Sequence, residues 1–346
     1  MPVTTHCREP VSTPRRRILS PLHRAVASAP MRVSLAGGGT DLPPFVPGVG
    51  GRIVGTAIDL RVRAVVEPFD PGWVRLSLSA TGISFTRRCD APRIRDASVR
   101  LLEEVLAETS VGDGVFLHVE TDLAPGTGLG GSAAAAVASL AAIEASLGVA
   151  MEPEALAARA VSVERDGLGI ACGAQDQVFA AWGGLLDLRF DERGLTAREP
   201  VPTPSRLVRD LSAGMMLVDT GRRRVSGDVI GRARYDTGAT VDLCAAADDT
   251  ARALREGSLS GVLAGMRRSA AAKAARDPEA SAPASALWAK LAPLGAEVVR
   301  MCGAGGGGHV LVWAPEDRHA AIAEAAAGMV VRRAGIAAEG VRVEEG

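Results

Sequence analysis

Three clusters of glycine divide this chain: Gly37-Gly38-Gly39, the stretch 126–131 and the stretch 303–308. Each follows a short run that reads as regular secondary structure. Glycine weakens helix and strand interiors by roughly 0.5–1 kcal/mol relative to alanine, and it alone visits left-handed backbone conformations freely. Clusters of it mark places where the backbone turns sharply or meets another group closely. The chain holds 40 glycines and 20 prolines, yet 47% of its 346 residues are hydrophobic. Glycine-rich disordered chains lack that apolar content, so the glycine is local and purposeful.

At roughly 150 residues per domain, the length implies about two domains, each able to bury its own core. With 39 Lys+Arg against 40 Asp+Glu, the balance argues against a nucleic-acid partner, and 3% aromatic residues argues against a base-stacking platform. Five widely spaced cysteines (Cys7, Cys89, Cys172, Cys244, Cys302) contain no C-x-x-C, which disfavours a disulfide framework or a zinc site. Cys302, beside a glycine cluster, reads as a core-filling thiol rather than a reactive one. Near the start, Arg15-Arg16-Arg17 is basic, but His23 and Arg24 interrupt any apolar stretch before Ala27-Ser28-Ala29. A secretory signal is therefore not expected, and 1–28 reads as a flexible basic tail. The most apolar run, 133–143, is too short to span a bilayer. The expectation is a soluble cytoplasmic protein with no membrane and no nucleic-acid partner.

Met31-Arg32-Val33-Ser34-Leu35 alternates like a strand, as do 115–120, 296–301 and 309–313. Helical spacing predicts helices over 98–108, 132–147, 154–165 (after Pro153, suited to a first turn), 240–275 and 316–327, with an edge strand near 340–344. Pro200, Pro202 and Pro204 mark a joint, giving expected domains of 29–205 and 206–346. Strands and helices mix without strict alternation, so the predicted class is α+β.

The second cluster joins a predicted strand to a predicted helix through Pro125-Gly126-Thr127-Gly128-Leu129-Gly130-Gly131-Ser132. Glycines let the backbone approach a ligand and aim its N–H groups inward, and the helix start offers unpaired amides at the same point. A phosphate is well held there. No lysine follows the glycines, which excludes the Walker A loop. The dinucleotide pattern G-x-G-x-x-G fits Gly126, Gly128 and Gly131, but the acidic residues about 20 positions on, Glu152 and Glu154, open a helix rather than close a strand.

The same string, continuing through Ala133-Ala134, resembles the ATP-phosphate loop of the GHMP kinases, the family of galactokinase, homoserine kinase, mevalonate kinase and phosphomevalonate kinase. The run from Arg32 to Asp41, ending Gly37-Gly38-Gly39-Thr40-Asp41, resembles that family's first motif, in the form found among heptose 7-phosphate kinases and fucokinases. Gly303-Ala304-Gly305-Gly306-Gly307-Gly308 resembles its third. Glu164-Arg165-Asp166, Gly173-Ala174-Gln175-Asp176-Gln177 and Thr220-Gly221-Arg222 extend the likeness, in order, from about residue 29 onward. The chain departs from the family pattern at Ala124 (often proline), Gly131 (usually serine), Ala174 (frequently lysine) and His309 (frequently phenylalanine). The resemblance implies a two-domain fold, with an N-terminal ATP-binding β-α-β domain and a C-terminal ferredoxin-like α/β sandwich. It also implies ATP and Mg²⁺, and a sugar or sugar phosphate as substrate.

By the same resemblance, Pro125 through Ser132 cradle the nucleotide, and Ser132 and Glu164 supply protein oxygens to Mg²⁺. Asp176 would be the base or electrostatic positioner for the sugar hydroxyl, and it would also contact the substrate. Arg32 would stabilise the transferring phosphoryl group. Gly38, Gly39, Thr40, Asp41, Gly305, Gly306 and Gly307 would meet the substrate. Arg222 and Arg224 are candidates for an existing substrate phosphate, because arginine suits bidentate contact. Blander roles compete: a solvated helix carboxylate at Glu164, a helix cap at Asp176, a surface ion pair at Arg32, a turn-forming Asp41 and a solvated charge run at 222–224. The expected activity is ATP-dependent phosphorylation of an anomeric hydroxyl, foremost that of D-glycero-D-manno-heptose 7-phosphate. Fucose or galactose kinases are alternatives. An NAD(P)-dependent oxidoreductase and a non-catalytic nucleotide- or sugar-binding regulator stand further off. The assembly, a homodimer being one option, is left open.

Overall fold

The computed structural model describes residues 22–109, 111–223 and 236–344. The first part of the chain runs β1 (Ala25–Ala36), β2 (Gly51–Pro68), β3 (Trp73–Leu78), β4 (Ile83–Arg88), α1 (Arg100–Glu108), β5 (Val115–Glu120), α2 (Gly131–Ser146), α3 (Pro153–Ser162), α4 (Gln175–Trp182), β6 (Leu185–Asp191) and β7 (Gly194–Pro200). The second continues with α5 (Ser205–Ala213), β8 (Met215–Asp219), α6 (Thr237–Glu256), α7 (Leu259–Arg276), α8 (Pro278–Leu291), β9 (Val298–Met301), β10 (His309–Trp313), α9 (His319–Ala325), β11 (Val330–Arg333) and β12 (Arg342–Glu344).

Strand β2 organises the first sheet. Its early residues pair with β6, its late residues with β5, and β1 covers its other edge throughout. The resulting order is β12-β1-β2-β5-β3-β4, with β6 and β7 branching from β2. Helix α2 packs on β1 and β2 with nearly every residue buried, including Ala134, Ala136, Val137, Leu140 and Ile143. A helix apolar on all sides belongs inside a core, and alanine lets it approach the sheet closely. That packing sets where the helix begins, beside β1.

The second sheet has the order β11-β8-β10-β9, antiparallel throughout. In chain order this is the ferredoxin-like β-α-β-β-α-β arrangement, with α6, α7 and α8 filling the first crossover. The period of two along β8 divides its side chains between two cores. Met215 and Leu217 join the core of the first sheet, while Met216 and Val218 join a smaller one with Leu287, Leu291, Val310, Val312 and Ile322. The two-domain α+β expectation and the ferredoxin-like second domain agree with this architecture.

Three expectations need revision. Strand β1 begins at Ala25, so residues 25–28, assigned to a tail, pair with β2 and in part with β12; residues 1–21 lie outside the described residues. The boundary at 205 is crossed by packing: Ala247, Leu254, Val262 and Met266 of α6 and α7 belong to the first core, and β12 returns to the first sheet. The helical zone 240–275 is two helices. Gly257 ends the first with φ 74°, and Ser258 starts the second by accepting a bond from the Gly261 amide. Among the described residues, no helix is long and apolar enough to cross a membrane.

Candidate active site

The second and third glycine clusters meet, and the first joins them through β1. In the second, Gly126, Gly128 and Gly130 hold φ of 79°, 77° and 74°. Arg32 of β1 donates its amide to Leu129 O at 2.9 Å, tying this loop to the strand that leads into the first cluster. From the other side, His309 N donates to Thr127 O at 2.9 Å. A Cβ on Gly308 would lie 2.4 Å from Thr127 O, and one on Gly303 would lie 2.8 Å from Gly128 O. Two backbones touch there, and only glycine fits. Helix α2 opens from Gly130 with no side chain capping it, which leaves its first-turn amides facing the loop for an incoming anion. That arrangement fits a polyphosphate. Since α3 follows α2 directly, with no strand between, the dinucleotide pattern lacks its βαβ context.

Beside the helix start lies an arginine–aspartate pair. Arg32 Nε donates to Asp176 Oδ1 at 2.7 Å, and its Nη1 donates to Gly128 O at 2.8 Å. The Arg32 side chain is 4% exposed and that of Asp176 28%, so the cation is locked in place while the carboxylate stays accessible. A surface ion pair is thereby replaced as the description of Arg32. Asp176 stands in the first turn of α4 but caps nothing: the N-cap is Ala174, with no side-chain bond.

Glu164 sits on a single π-helical turn, Val163–Gly167, which continues α3 and turns its carboxylate inward. Only 5% exposed, it is no solvated carboxylate. Ser132 Oγ and Gln177 Nε2 both donate to it. Burial, with the charge of Asp176 adding, raises its pKa to about 7, against the lowering effect of those two bonds. The oxygen of that amide, Gln177 Oε1, is buried without a hydrogen-bond partner. A buried acid, a hydroxyl and an orphaned carbonyl oxygen together fit Mg²⁺, a hard cation that takes few protein oxygens and fills its sphere with phosphate and water.

Asp41 completes the acidic set. Gln175 Nε2, oriented by Ser34 Oγ on its carbonyl side at 3.0 Å, donates to Asp41 Oδ1 at 3.0 Å. Burial and the neighbouring Asp176 raise the Asp41 pKa to about 6. A Cβ on Gly173 would fall 1.9 Å from Asp41 Oδ2, so this glycine makes the space the carboxylate occupies.

The remaining expectations fare unevenly. Thr40 does not offer its hydroxyl to a ligand: Oγ1 donates to Gly37 O and Arg52 O and accepts from Arg52 N, closing the first loop. Gly38 and Gly39 lie in that loop, against Ser34 and Arg276. Gly306 donates to Ala280 O at 2.6 Å, and Gly305 and Gly307 press on Ala280 and Arg222, so this loop is held by α8 and by the 220–222 turn. The Arg222 side chain is exposed, and its carbonyl accepts from Gly308 N at 2.8 Å. Arg223 is engaged with Asp219. Arg224 lies outside the described residues. Cys302 is buried and its thiol pKa is pushed up by burial, as a core residue requires. Sequence reasoning assigned no role to Gln175 and Gln177, although it quoted their motif. It missed Lys273 and Arg276, which donate to carbonyls of the third and first loops, and Arg300, which donates to Leu35 O at the end of β1.

Comparison with known proteins adds to this geometry. The family model for the GHMP kinases N terminal domain matches residues 96–184, and that for GHMP kinases C terminal matches 250–330. The chain is 25% identical over 205 residues to the D-glycero-alpha-D-manno-heptose 7-phosphate kinase of Campylobacter jejuni, covering 58% of this chain and 60% of that protein. It is 32% identical over 159 residues to the mevalonate kinase of Archaeoglobus fulgidus, covering 46% and 51%. The matches thus span about half to three-fifths of these relatives' lengths. In fold it is similar to the crystal structure of a D-glycero-D-manno-heptose 1-phosphate kinase from Bacteriodes thetaiotaomicron, with a TM-score of 0.75, 21% identity, and coverage of 93% of this chain and 99% of that one. With both of its domains present and in order, the chain belongs to the GHMP kinase family.

Proposed function

We propose that this protein transfers a phosphoryl group from ATP to the anomeric hydroxyl of a sugar or sugar phosphate, with D-glycero-D-manno-heptose 7-phosphate the favoured acceptor. The observation that carries the reading is the Arg32–Asp176 pair, set beside the uncapped start of α2 with Ser132 and Glu164 at the same helix end. The loop amides of 126–132 bind the polyphosphate. Arg32, fixed by Asp176 and by Gly128 O, stabilises negative charge on the transferring group. Asp176 orients the acceptor hydroxyl and takes its proton, a modest demand because an anomeric hydroxyl is more acidic than an ordinary alcohol. Asp41 accepts hydrogen bonds from other hydroxyls of the sugar. Ser132 and Glu164 would hold Mg²⁺, which when bound neutralises charge on the phosphate oxygens. ATP as donor implies action in the cytoplasm.

The choice of a heptose phosphate rests on the Gly37-Gly38-Gly39-Thr40-Asp41 form of the first motif and on the relatives above. A screen of sugars and sugar phosphates for ADP release, with phosphorus NMR of the product, tests it. Turnover is expected with a heptose 7-phosphate, giving a new anomeric phosphate signal. Absence of ATP turnover with every acceptor, despite ATP binding, would sink the kinase reading; turnover confined to fucose or galactose would move the substrate.

A further inference from the structure

Three cations missed by the sequence reading stand behind the first and third glycine loops. Arg300 is 3% exposed, and its Nη1 donates to Leu35 O. Lys273, also buried, donates to Gly303 O. Arg276, the last residue of α7, donates from Nη1 to Gly39 O at 3.0 Å, and its Nε is buried without a hydrogen-bond partner. Among the described residues, neither Arg276 nor Arg300 forms an ion pair; Asp277, Asp41 and Asp236 act on Arg276 through space only. A guanidinium held away from water is ordinarily matched to a carboxylate or to a ligand's anion. Here carbonyl oxygens fix the orientation of Arg276 and Arg300, and among the described residues no carboxylate touches either guanidinium.

Position narrows the anion. Arg276 Nη2 would stand 2.6 Å from a Cβ on Gly39, so its guanidinium lies against the loop that carries Asp41. The nucleotide loop, by contrast, is held by Arg32, through Gly128 O and Leu129 O. We infer that Arg276, backed by Lys273 and Arg300, forms an anion subsite that grips the phosphate already present on the acceptor sugar. The inference rests on the kinase reading for its acceptor, and it replaces Arg222 and Arg224 as the phosphate anchor. Arginine's planar fork suits bidentate contact with phosphate, which a lysine cannot reproduce. The subsite selects for a phosphorylated acceptor over the free sugar.

The experiment has two arms. In the first, kcat/KM is measured for heptose 7-phosphate and for the free heptose with the intact protein, Arg276→Gln, Arg276→Lys and Arg222→Gln. The ratio of phosphorylated to free sugar is expected to fall at least ~30-fold in Arg276→Gln and to recover in part in Arg276→Lys, while the KM for ATP moves by less than about 3-fold. A raised KM for ATP with an unchanged sugar ratio assigns Arg276 to the nucleotide instead and overturns the proposal. In the second arm, inorganic phosphate is titrated in a thermal-shift assay with ADP saturating, which needs no turnover. Stabilisation is expected in the unmodified protein and in Arg222→Gln, and its loss in Arg276→Gln. No stabilisation of the unmodified protein, or its loss in Arg222→Gln rather than Arg276→Gln, refutes the subsite whatever the kinase assay returns. Circular dichroism of each variant without ligand separates a lost subsite from a lost fold.

Discussion

Two arginine–aspartate pairs lie on neighbouring strands of the first sheet, and they differ in one respect. Arg52 of β2 binds Asp187 of β6 through two donors, at 2.9 and 2.6 Å, and Arg255 reaches the same carboxylate at 3.3 Å. The Asp187 side chain is 0% exposed. Arg32 of β1 binds Asp176 just as closely, but that carboxylate is 28% exposed and, among the described residues, has no second arginine. The first pair is saturated and ties β2, β6 and α6 together. The second keeps part of its acceptor capacity for something outside the protein. Chemically alike, one pair fastens the fold, and on the proposed reading the other serves the substrate.

Substituting each aspartate should separate the two roles. Asp187→Asn leaves two guanidinium groups facing a neutral amide, and breaking a buried pair of this kind costs about 3–5 kcal/mol. Denaturant unfolding should show that loss, with kcat near normal wherever the variant is folded. Asp176→Asn should do the reverse: kcat down by ~10³-fold, with an unfolding loss smaller than that of Asp187→Asn, because Asp41 and Glu164 still face the Arg32 charge and are relieved of the repulsion from Asp176. If Asp176→Asn unfolds as readily as Asp187→Asn, the contrast collapses.

Asp41 sharpens the comparison, since it is a buried acid with no arginine in contact among the described residues. Its pKa in the folded chain, about 6, exceeds the 3.8 of an unburied aspartate, so the folded state holds the proton more tightly. The stabilisation that protonation brings is complete below the unfolded value and is lost as pH rises through the folded one. Asp41→Asn, which cannot ionise, should therefore gain ~2 kcal/mol over the unmodified protein between about pH 4.5 and about pH 8. An equal difference at both pH values would mean that Asp41 bears no such cost.

A smaller effect tests what aims Arg32. Gly303, at φ 58°, lies against Gly128, whose carbonyl takes a hydrogen bond from Arg32. Gly303→Ala should cost roughly 1–2 kcal/mol from its left-handed backbone, and displacing Gly128 should lower kcat by about 10-fold. Normal kcat in this variant would show that Arg32 is oriented by Asp176 alone.

The loops were legible in the sequence because glycine has few substitutes where backbones touch, as at Gly303 and Gly308. Glu164 stood out only through the resemblance, whereas Asp176 was marked as well by its setting, a lone carboxylate between Gln175 and Gln177 ahead of the apolar run 178–181. Arg276 was hidden because a cation at a helix C-terminus needs no other explanation. Arg300 was hidden because a lone charge in a short strand reads as solvent-facing, whereas all four residues of β9 are buried. The break at Gly257-Ser258 carried its cap residues in plain view, but the apolar spacing runs on across it and masks the stop. Strand β2 escaped because Gly55, Arg61 and Arg63 disturb its alternation, and its two halves serve different neighbours.

The contact between Thr127 and His309 joins positions 182 apart in the chain. During synthesis the proposed nucleotide cradle thus exists as a half-structure for as long as the second half of the polypeptide takes to emerge. Loops so distant in sequence close late and slowly, since the chain entropy must be overcome before the contact rewards it. An N-terminal half alone would lack the Gly303–His309 wall of the loop, along with β12 and the packing of α6 and α7 on the first sheet. On the proposed reading, nucleotide grip is a property the molecule acquires only on completion.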